Sequence, residues 1–256
     1  SRTGEPTWSV LHRAPGVDLV ALFAAEHGID GRAPASAIIK DHTHAPTGLP
    51  VYSLYGDARR PTGRLLRELD VLVIDLQDIG SRSYTFVSAM REALEACALA
   101  DVEVTVLDRP NPLGGVKVDG PIVDGEWRSY VGAFPVPYVH GLTIGELARF
   151  ALQTEGVLDL DEEQRLSARL TVVPMRGWKR SMRWHETGLR WRATSPYIQD
   201  MSTVEGYPIT GLGCILGDWT HGVGREHPFR GIAYRGKRAD DLVHELSELR
   251  IPGLGF

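Results

Sequence analysis

The sequence has little cysteine, no long apolar run and no excess of positive charge. Only Cys97 and Cys214 occur among 256 residues, so at most one disulfide can form. No stretch approaches the roughly 20 apolar residues of a membrane helix, and no basic-then-apolar leader follows Ser1. Lys and Arg total 28 against 33 Asp and Glu, a formal net charge of -5. This charge has the wrong sign for a nucleic-acid-backbone binder, so we expect neither a nucleic-acid partner nor a membrane span.

The usual cofactor motifs are also missing. No G-x-G-x-x-G follows the first predicted strand, and the sequence has neither a Walker A motif nor a G-x-S-x-G nucleophile elbow. His42 and His44 alternate in a polar stretch, a pattern more typical of a solvated loop than of a metal site. We therefore predict no cofactor and no metal, and chemistry carried by the protein's own side chains.

Three short apolar runs, each followed by polar residues, predict buried β-strands. They are Val17–Phe23, Val71–Leu76 and Glu103–Leu107. Between the last two, apolar residues recur at helical spacing over Tyr84–Ala100, which predicts a helix and hence a βαβ unit. Strands joined in this way run parallel, and their apolar character suits a sheet covered on both faces. The sequence therefore predicts an α/β fold with a doubly wound parallel sheet.

Four further elements are predicted elsewhere in the chain, where the sequence pattern is less regular. They are a helix at Thr62–Leu69, a helix at Leu142–Thr154 introduced by Thr143, a strand at Leu170–Val173 and a helix at Ala239–Leu249. Residues 178–229 show little periodicity. We expect a sheet domain over 1–165, and residues 166–256 would hold the rest of that sheet and the elements that follow it. The last predicted helix ends close to the end of the chain with nothing after it to pack against, which suggests a truncated chain.

Polar side chains follow each of the three predicted strands. They are Glu26, His27, Asp75, Gln77, Asp78, Arg82, Asp108, Arg109 and Asn111. Because the carboxyl ends of parallel strands meet at one edge of a sheet, we expect these residues to lie in one crevice. Several carboxylates and two arginines there indicate acid/base chemistry on a polar substrate. The alternative is that Asp75 and Asp108 cap helices or pair with the arginines and hold loops together.

Carboxylates without a cofactor motif favour hydrolysis by paired acids, as in glycosidases. Glu26 is the predicted acid, because partial desolvation after an apolar strand would raise its pKa and keep it protonated near neutral pH. Asp78 or Asp75 would be the second carboxylate, and the sequence does not choose between them.

Motifs spread along the chain resemble those of the NamZ-like exo-β-N-acetylmuramidases, long catalogued as a domain of unknown function. The main matching segments are Leu22–Ile29 with its Glu-His-Gly, Thr47–Gly56, Asp75–Thr85 and Leu107–Pro112. Further matches are Gly120-Pro121, Arg128-Ser129, Pro135–Thr143 with its His140-Gly141, Gly145–Ala148 and Val173–Trp178. They follow the family's order and extend over most of the chain from about Val17 to Trp191.

The resemblance implies a Rossmann-like domain over 1–165 with the catalytic crevice, and a smaller, apparently truncated C-terminal α+β domain that starts within 166–256. The implied reaction is hydrolysis of terminal, non-reducing N-acetylmuramic acid from peptidoglycan fragments. It also implies a muramic-acid-containing sugar or muropeptide as partner and favours a periplasmic or extracellular location. The glutamate of the family's Glu-His-Gly motif maps onto Glu26, and the histidine onto His27. The predicted catalytic residues are these two and Asp78, which assists as the second carboxylate. The predicted substrate-binding residues are Asp75, Gln77, Arg82, Tyr84, Asp108, Arg109, Asn111 and His140. An arginine of this set would suit the lactyl carboxylate of muramic acid.

One segment departs from the family pattern. Family members usually carry a Ser-Glu-Gly-Arg-Gly-like sequence where this chain has Thr220–Gly224, so His221 stands in place of the Glu. Tyr197 stands where the family has an Asn. These differences leave two alternatives open: a related hydrolase for a different sugar, and a non-catalytic protein that binds cell-wall sugars.

Overall fold

The computed structural model describes residues 4–212, 217–252 and 255. Its strands are β1 (Leu22–Ala24), β2 (His42–Thr43), β3 (Pro50–Ser53), β4 (Val71–Ile74), β5 (Glu103–Leu107), β6 (Asp119–Ile122), β7 (Pro137–Val139), β8 (Leu170–Val173), β9 (Trp219–Thr220) and β10 (Ala233–Tyr234). Its α-helices are α1 (Thr7–His12), α2 (Gly63–Leu66), α3 (Phe86–Leu99), α4 (Ile144–Gln153), α5 (Glu162–Ser167), α6 (Met201–Thr210) and α7 (Ala239–Glu248). Cys97 is buried, and Cys214 lies outside the described residues, as does any disulfide between the two.

The central sheet contains β4, β5 and β8, all parallel, with β5 in the middle. The side chains of Val104 and Val106 on β5 are almost fully buried, because α3 and α4 pack against this sheet. Met90 of α3 and Leu147 of α4 belong to the same apolar core. Helix α3 joins β4 to β5, so the predicted βαβ unit is confirmed, and so is the predicted α/β class with a parallel sheet.

The first predicted strand is shorter than its apolar run. The strand is Leu22–Ala24 rather than Val17–Phe23, because Val17 and Val20 are exposed and residues 17–21 form no strand in the described structure. β1 runs parallel to β3, and β2 pairs antiparallel with β3, giving a second sheet of order β1-β3-β2. Phe23 of β1 packs against the apolar core that the central sheet shares with its helices.

The predicted helices differ from the observed helices mainly in where they begin and end. Helix α4 begins after Thr143, which forms a capping box with Glu146, as its sequence position predicted. Helix α2 is a single turn, shorter than Thr62–Leu69, and the Thr62 side chain at its N-cap makes no capping hydrogen bond. Without that bond one of the free N–H groups of the first turn is left to other partners.

The chain divides into two compact units, Ser1–Pro196 and Tyr197–Phe256. The second contains α6, the antiparallel pair β9 and β10, and α7, which was predicted. Its buried apolar side chains among the described residues are Ile198, Val204, Phe229 and Leu242. The expected domain division after residue 165 stays a prediction. In the described part of the chain, no helix is both long and apolar enough to cross a membrane.

Candidate active site

The chain turns sharply directly after β1, and this turn carries Glu26. His27 adopts a φ of 73°, in the left-handed region, and Gly28 follows at 78°. A non-glycine residue held there costs on the order of 1 kcal/mol, so surrounding contacts must fix it. The buried His27 ring supplies one such contact, since its Nδ1 lies 2.9 Å from the carbonyl oxygen of Ala33. The turn thereby fixes the backbone on both sides of Glu26.

The Glu26 carboxylate is buried and held by two hydrogen bonds. Thr85 Oγ1 donates to Oε2 at 2.5 Å, and the Ser36 backbone N–H donates to Oε1 at 3.0 Å. Thr85 is the N-cap residue of α3, so the carboxylate lies at the positive end of a 14-residue helix. Ser36, like His27, has a positive φ, 62°. Two left-handed residues therefore flank this carboxylate in the folded chain.

Two tyrosines and an arginine complete the surroundings of Glu26. Burial raises the pKa of Tyr55, and the nearby Glu26 carboxylate raises it further by repelling the phenolate. Burial also raises the pKa of Tyr130, to about 12, with Glu26 again adding to the effect. The Arg59 guanidinium carbon lies 4.8 Å from the centre of the Tyr55 ring and 4.1 Å from that of Tyr130. We call Glu26, Ser36, Tyr55, Arg59, Thr85 and Tyr130 the Glu26 cluster.

A second buried carboxylate, Asp78, follows β4. Its Oδ2 accepts a hydrogen bond from the Gly80 N–H at 2.8 Å and lies 3.2 Å from His140 Nε2. His140 Nδ1 accepts from the Leu142 N–H at 3.1 Å, so a neutral imidazole carries its proton on Nε2, facing Asp78. Asp78 Oδ1 is buried and has no hydrogen-bond partner among the described residues.

Two amides tie the loops around Asp78 together. Gln77 Nε2 donates to the carbonyl oxygens of Asp78 and Pro110, at 2.7 and 3.0 Å. Asn111 Nδ2 donates to the carbonyl oxygen of Leu142 at 2.9 Å. The loops after β4 and β5 are thus joined to each other and to the segment before α4. We call Gln77, Asp78, Asn111 and His140 the Asp78 cluster.

Asp75 and Asp108 each have partners that hold the fold together. Arg109 forms an ion pair with one oxygen of Asp75, and the Thr7 hydroxyl donates to the other. Asp108 accepts from the Thr143 hydroxyl at 2.9 Å and from the Gly145 N–H at 2.8 Å, so it binds the N-terminus of α4 to the end of β5. Both contacts match the alternative that these carboxylates cap helices or pair with arginines.

Arg82 and Tyr84 are buried and engaged within the fold. Arg82 Nη1 donates to the carbonyl oxygens of Pro121 and Val136, each at 2.7 Å, which fastens the segment before α3 to the β6–β7 hairpin. Burial lowers the pKa of Arg82. The Tyr84 hydroxyl donates to Thr194 Oγ1 at 2.6 Å. These hydrogen bonds join Arg82 and Tyr84 to other parts of the fold, and none of them involves a residue of the Glu26 cluster.

Of the predicted residues, Glu26 and His27 share one turn, and Gln77, Asp78, Asn111 and His140 share the Asp78 cluster. The sequence reasoning missed five members of the Glu26 cluster, namely Ser36, Tyr55, Arg59, Thr85 and Tyr130. Tyr55 and Arg59 follow β3, which is parallel to β1, so its carboxyl end meets the same edge of the sheet. A strand prediction over the apolar-polar segment 50–53 would have found them. Tyr130 lies in an irregular segment with no comparable signal.

Metal-ligating side chains do not converge within the described ranges. No group of three or more His, Cys, Asp or Glu residues there could hold an ion. In the His-x-His segment, His42 is exposed, whereas His44 is buried against Trp8 with its Nδ1 2.8 Å from Thr47 Oγ1. The two imidazoles therefore have different surroundings.

Fold and site together define a class: a Rossmann-like α/β protein with buried carboxylates at the carboxyl ends of its parallel strands. Residues 1–202 match the family described as exo-beta-N-acetylmuramidase NamZ, N-terminal. The chain belongs to this family, so the resemblance found in the sequence motifs is confirmed.

Named relatives agree with this membership. The chain is 39% identical over 248 residues to the peptidoglycan beta-N-acetylmuramidase NamZ of Bacillus subtilis (strain 168), covering 96% of this chain and 57% of that protein. A crystal structure of a DUF1343 family protein from Bacteroides fragilis NCTC 9343 matches with a TM-score of 0.88 and 42% identity, over 100% of this chain and 63% of that one. A second such protein from the same organism matches with a TM-score of 0.70 and 31% identity, over 90% and 59%. The chain spans about three fifths of the length of these relatives.

Proposed function

We propose that this chain carries the catalytic carboxylate of a glycosidase that releases terminal, non-reducing N-acetylmuramic acid from peptidoglycan fragments. The observation that carries the proposal is the buried Glu26 carboxylate, held at the N-terminus of α3 on a strained turn after a parallel strand. Membership of the muramidase family supports the reaction class, and the name of the Bacillus subtilis relative supports peptidoglycan as the source of substrate.

Glu26 acts in this proposal as the general acid/base. It gives a proton to the glycosidic oxygen that leaves and takes one from water in the hydrolytic step. Its hydroxyl neighbours suit both states, because the Thr85 hydroxyl donates to an ionised carboxylate and can rotate to accept from a protonated one. The Ser36 N–H donates only, and so fixes the orientation of the carboxyl group in either state.

Asp78 is the proposed second carboxylate. Both oxygens of Asp75 are engaged, by Arg109 and Thr7, whereas Oδ1 of Asp78 has no partner among the described residues. A buried acceptor without a partner is costly, and a sugar hydroxyl or a water molecule bound there would satisfy it. This difference supports Asp78 over Asp75 and gives Asp78 a role in orienting substrate or water. His27 assists by fixing the turn that carries Glu26.

The test is hydrolysis of a chromogenic N-acetylmuramic acid β-glycoside by wild-type chain and by Glu26→Gln. Loss of the acid/base group is expected to lower kcat by roughly 100-fold or more, while circular dichroism and thermal unfolding show a folded protein. Glu103→Gln is the matched control, because Glu103 lies at the start of β5 and its carboxylate bonds only to Thr171 among the described residues. Full turnover in Glu26→Gln, or equal loss in both variants, would overturn the assignment of Glu26.

A second candidate is a related hydrolase with a different sugar specificity. The observation behind it is His221, at the position where family members usually carry a glutamate. Its ring packs 4.7 Å from the ring of Phe229, and burial lowers its pKa, so the position holds a neutral group at neutral pH. Faster release from the matching N-acetylglucosamine β-glycoside than from the muramic compound would select this candidate. Binding of the muramic sugar without turnover of either compound would indicate a sugar-binding protein.

A further inference from the structure

Arg59 is an exposed guanidinium held in place by aromatic rings rather than by a carboxylate. It lies 4.8 Å from the centre of the Tyr55 ring and 4.1 Å from that of Tyr130, and those two ring centres are 6.1 Å apart. It forms no ion pair with any described residue. The neighbouring Arg60 is different, since it pairs with Glu92 and Glu95 at 2.7 and 2.6 Å.

The other arginines expected at this edge of the sheet are already engaged. Arg82 donates to two backbone carbonyls and is buried, and Arg109 is paired with Asp75. Arg82 Nε has no partner among the described residues, but the guanidinium is buried and its Nη1 holds two backbone carbonyls. An anion that displaced Asp75 or these carbonyls would leave them without their hydrogen bonds. Arg59 can take up an anion without such a loss.

Arg59 also lies where an anionic substrate needs a cation. Tyr55, which contacts Arg59, directly follows Leu54, whose N–H donates to the carbonyl oxygen of Ala24 at 2.8 Å. The segment that carries Tyr55 and Arg59 therefore leaves the sheet beside the turn that carries Glu26. A carboxylate brought close to Glu26 is repelled when Glu26 is ionised, and more strongly in a partly buried site than in water. A fixed cation near Glu26 offsets that repulsion.

We propose that Arg59 is a specificity-determining residue that binds the carboxylate of an acidic sugar, the lactyl carboxylate in the case of N-acetylmuramic acid. The proposal rests on the proposed function, because it assigns a substrate contact to the site built around Glu26. The planar guanidinium can bind a carboxylate through two parallel hydrogen bonds. The two tyrosine rings restrict its rotamers beforehand, so little side-chain entropy is lost when the carboxylate binds.

The experiment compares two chromogenic β-glycosides, one of N-acetylmuramic acid and one of its lactyl methyl ester, which lacks the charge. Arg59→Gln is expected to lower kcat/KM for the acid by about tenfold or more, the range of a hydrogen bond to a charged group. The value for the ester should change by less than about threefold, because the lost interaction requires the charge. Arg59→Lys should fall between, since it keeps the charge but not the two-pronged geometry.

Arg64→Gln is the matched control, because Arg64 is an exposed arginine on α2, outside the Glu26 cluster. Equal loss on both glycosides, or no difference between the Arg59 and Arg64 variants, would overturn the role of Arg59. If wild-type chain cleaves neither glycoside, the proposed function fails, and calorimetric titration with N-acetylmuramic acid then tests Arg59 separately. Weaker binding by Arg59→Gln than by Arg64→Gln would support the carboxylate contact, and equal binding would overturn it.

Discussion

Asp75 and Asp108 both follow parallel strands, yet their surroundings move their pKa values in opposite directions. Burial raises the pKa of Asp108, and the hydrogen bonds from Gly145, Thr143 and the backbone oppose this without reversing it. Burial also acts to raise the pKa of Asp75, but the hydrogen bond and charge of Arg109 outweigh it, so the pKa of Asp75 is lowered. Asp75 thus has a positive partner in addition to the neutral donor Thr7, whereas Asp108 has only neutral donors and is also repelled by Glu146.

Asp75→Asn is expected to destabilise the protein in a pH-dependent way. Because the folded pKa of Asp75 lies below its unfolded value of about 3.9, its ionised form stabilises the native state above that pH. This stability is lost as the pH falls through the lowered folded pKa. We expect the variant to lose about 1 to 2 kcal/mol at pH 7, with the difference shrinking below about pH 4.

Urea unfolding of wild type and Asp75→Asn at pH 7 and near pH 3 measures this difference. Asp70→Asn serves as control, since Asp70 is exposed directly before β4. A free-energy difference that stays constant across the pH range would contradict the ion-pair explanation.

Side chains at the carboxyl ends of strands could be predicted from the sequence, and those supplied by irregular segments could not. Glu26 and Asp78 each follow an apolar run, so the periodicity that predicts the strand also places the carboxylate. Arg59 and Tyr130 are 71 positions apart in the chain, and only the folded loops bring them together. Their contact depends on loop conformations that no periodic pattern encodes.

At the scale of elements, the junction of α4 with the central sheet depends on the small size of Gly145. A Cβ at this position would lie 2.6 Å from Cγ1 of Val172 on β8 and 2.8 Å from Cγ of Asp108. Neither neighbour is the far end of a flexible side chain, and Asp108 also receives the Gly145 N–H. The first turn of α4 therefore lies so close to the sheet that a residue with a Cβ does not fit at position 145 without a shift of its neighbours.

Gly145→Ala is expected to destabilise the protein by about 1 to 3 kcal/mol, because overpacking at this contact outweighs the better helix propensity of alanine. Gly63→Ala is the matched control. It also lies in the first turn of a helix, but its nearest neighbour would be an arginine nitrogen 3.9 Å away. Chemical denaturation of both variants measures the effect, and equal stability of the two would contradict the packing explanation.

The elements that could be predicted are those whose apolar residues meet the core at regular spacing. The strand β5 and the helices α3, α4 and α7 satisfy this condition, and their predicted positions are confirmed to within two residues. The strand β6 reads Asp-Gly-Pro-Ile and is exposed throughout, so it has no pattern to detect. The helix α6 contains Gly206 and Pro208, residues of low helix propensity, and is stabilised by its Asp200 cap and its packing.

At the scale of the whole molecule, buried apolar area is distributed unevenly between the two compact units. The first holds the continuous core formed by α3, α4 and the central sheet. The second has four buried apolar side chains among its described residues. Because burial of apolar surface is the main favourable contribution to folding, the local free energy of opening should be lower in the second unit.

Hydrogen–deuterium exchange measured by mass spectrometry should therefore separate the two units. We expect amides of α3 and β5 to exchange slowest, and those of α6 and α7 to exchange at least roughly tenfold faster, corresponding to about 1.4 kcal/mol. Limited proteolysis should first cut within 197–256. Equal protection of the two units would mean that they open as a single cooperative body.

The left-handed conformations of His27 and Ser36 also restrict which amino acids can replace these residues during evolution. At Ser36 the contribution to Glu26 comes from the backbone N–H, so any residue that tolerates a positive φ, above all glycine or asparagine, can supply it. At His27 the same backbone demand is combined with an imidazole contact to Ala33. Backbone conformation therefore limits first which residues can replace these two. Ser36 should tolerate more substitutions than His27, because only His27 also contributes a side-chain contact.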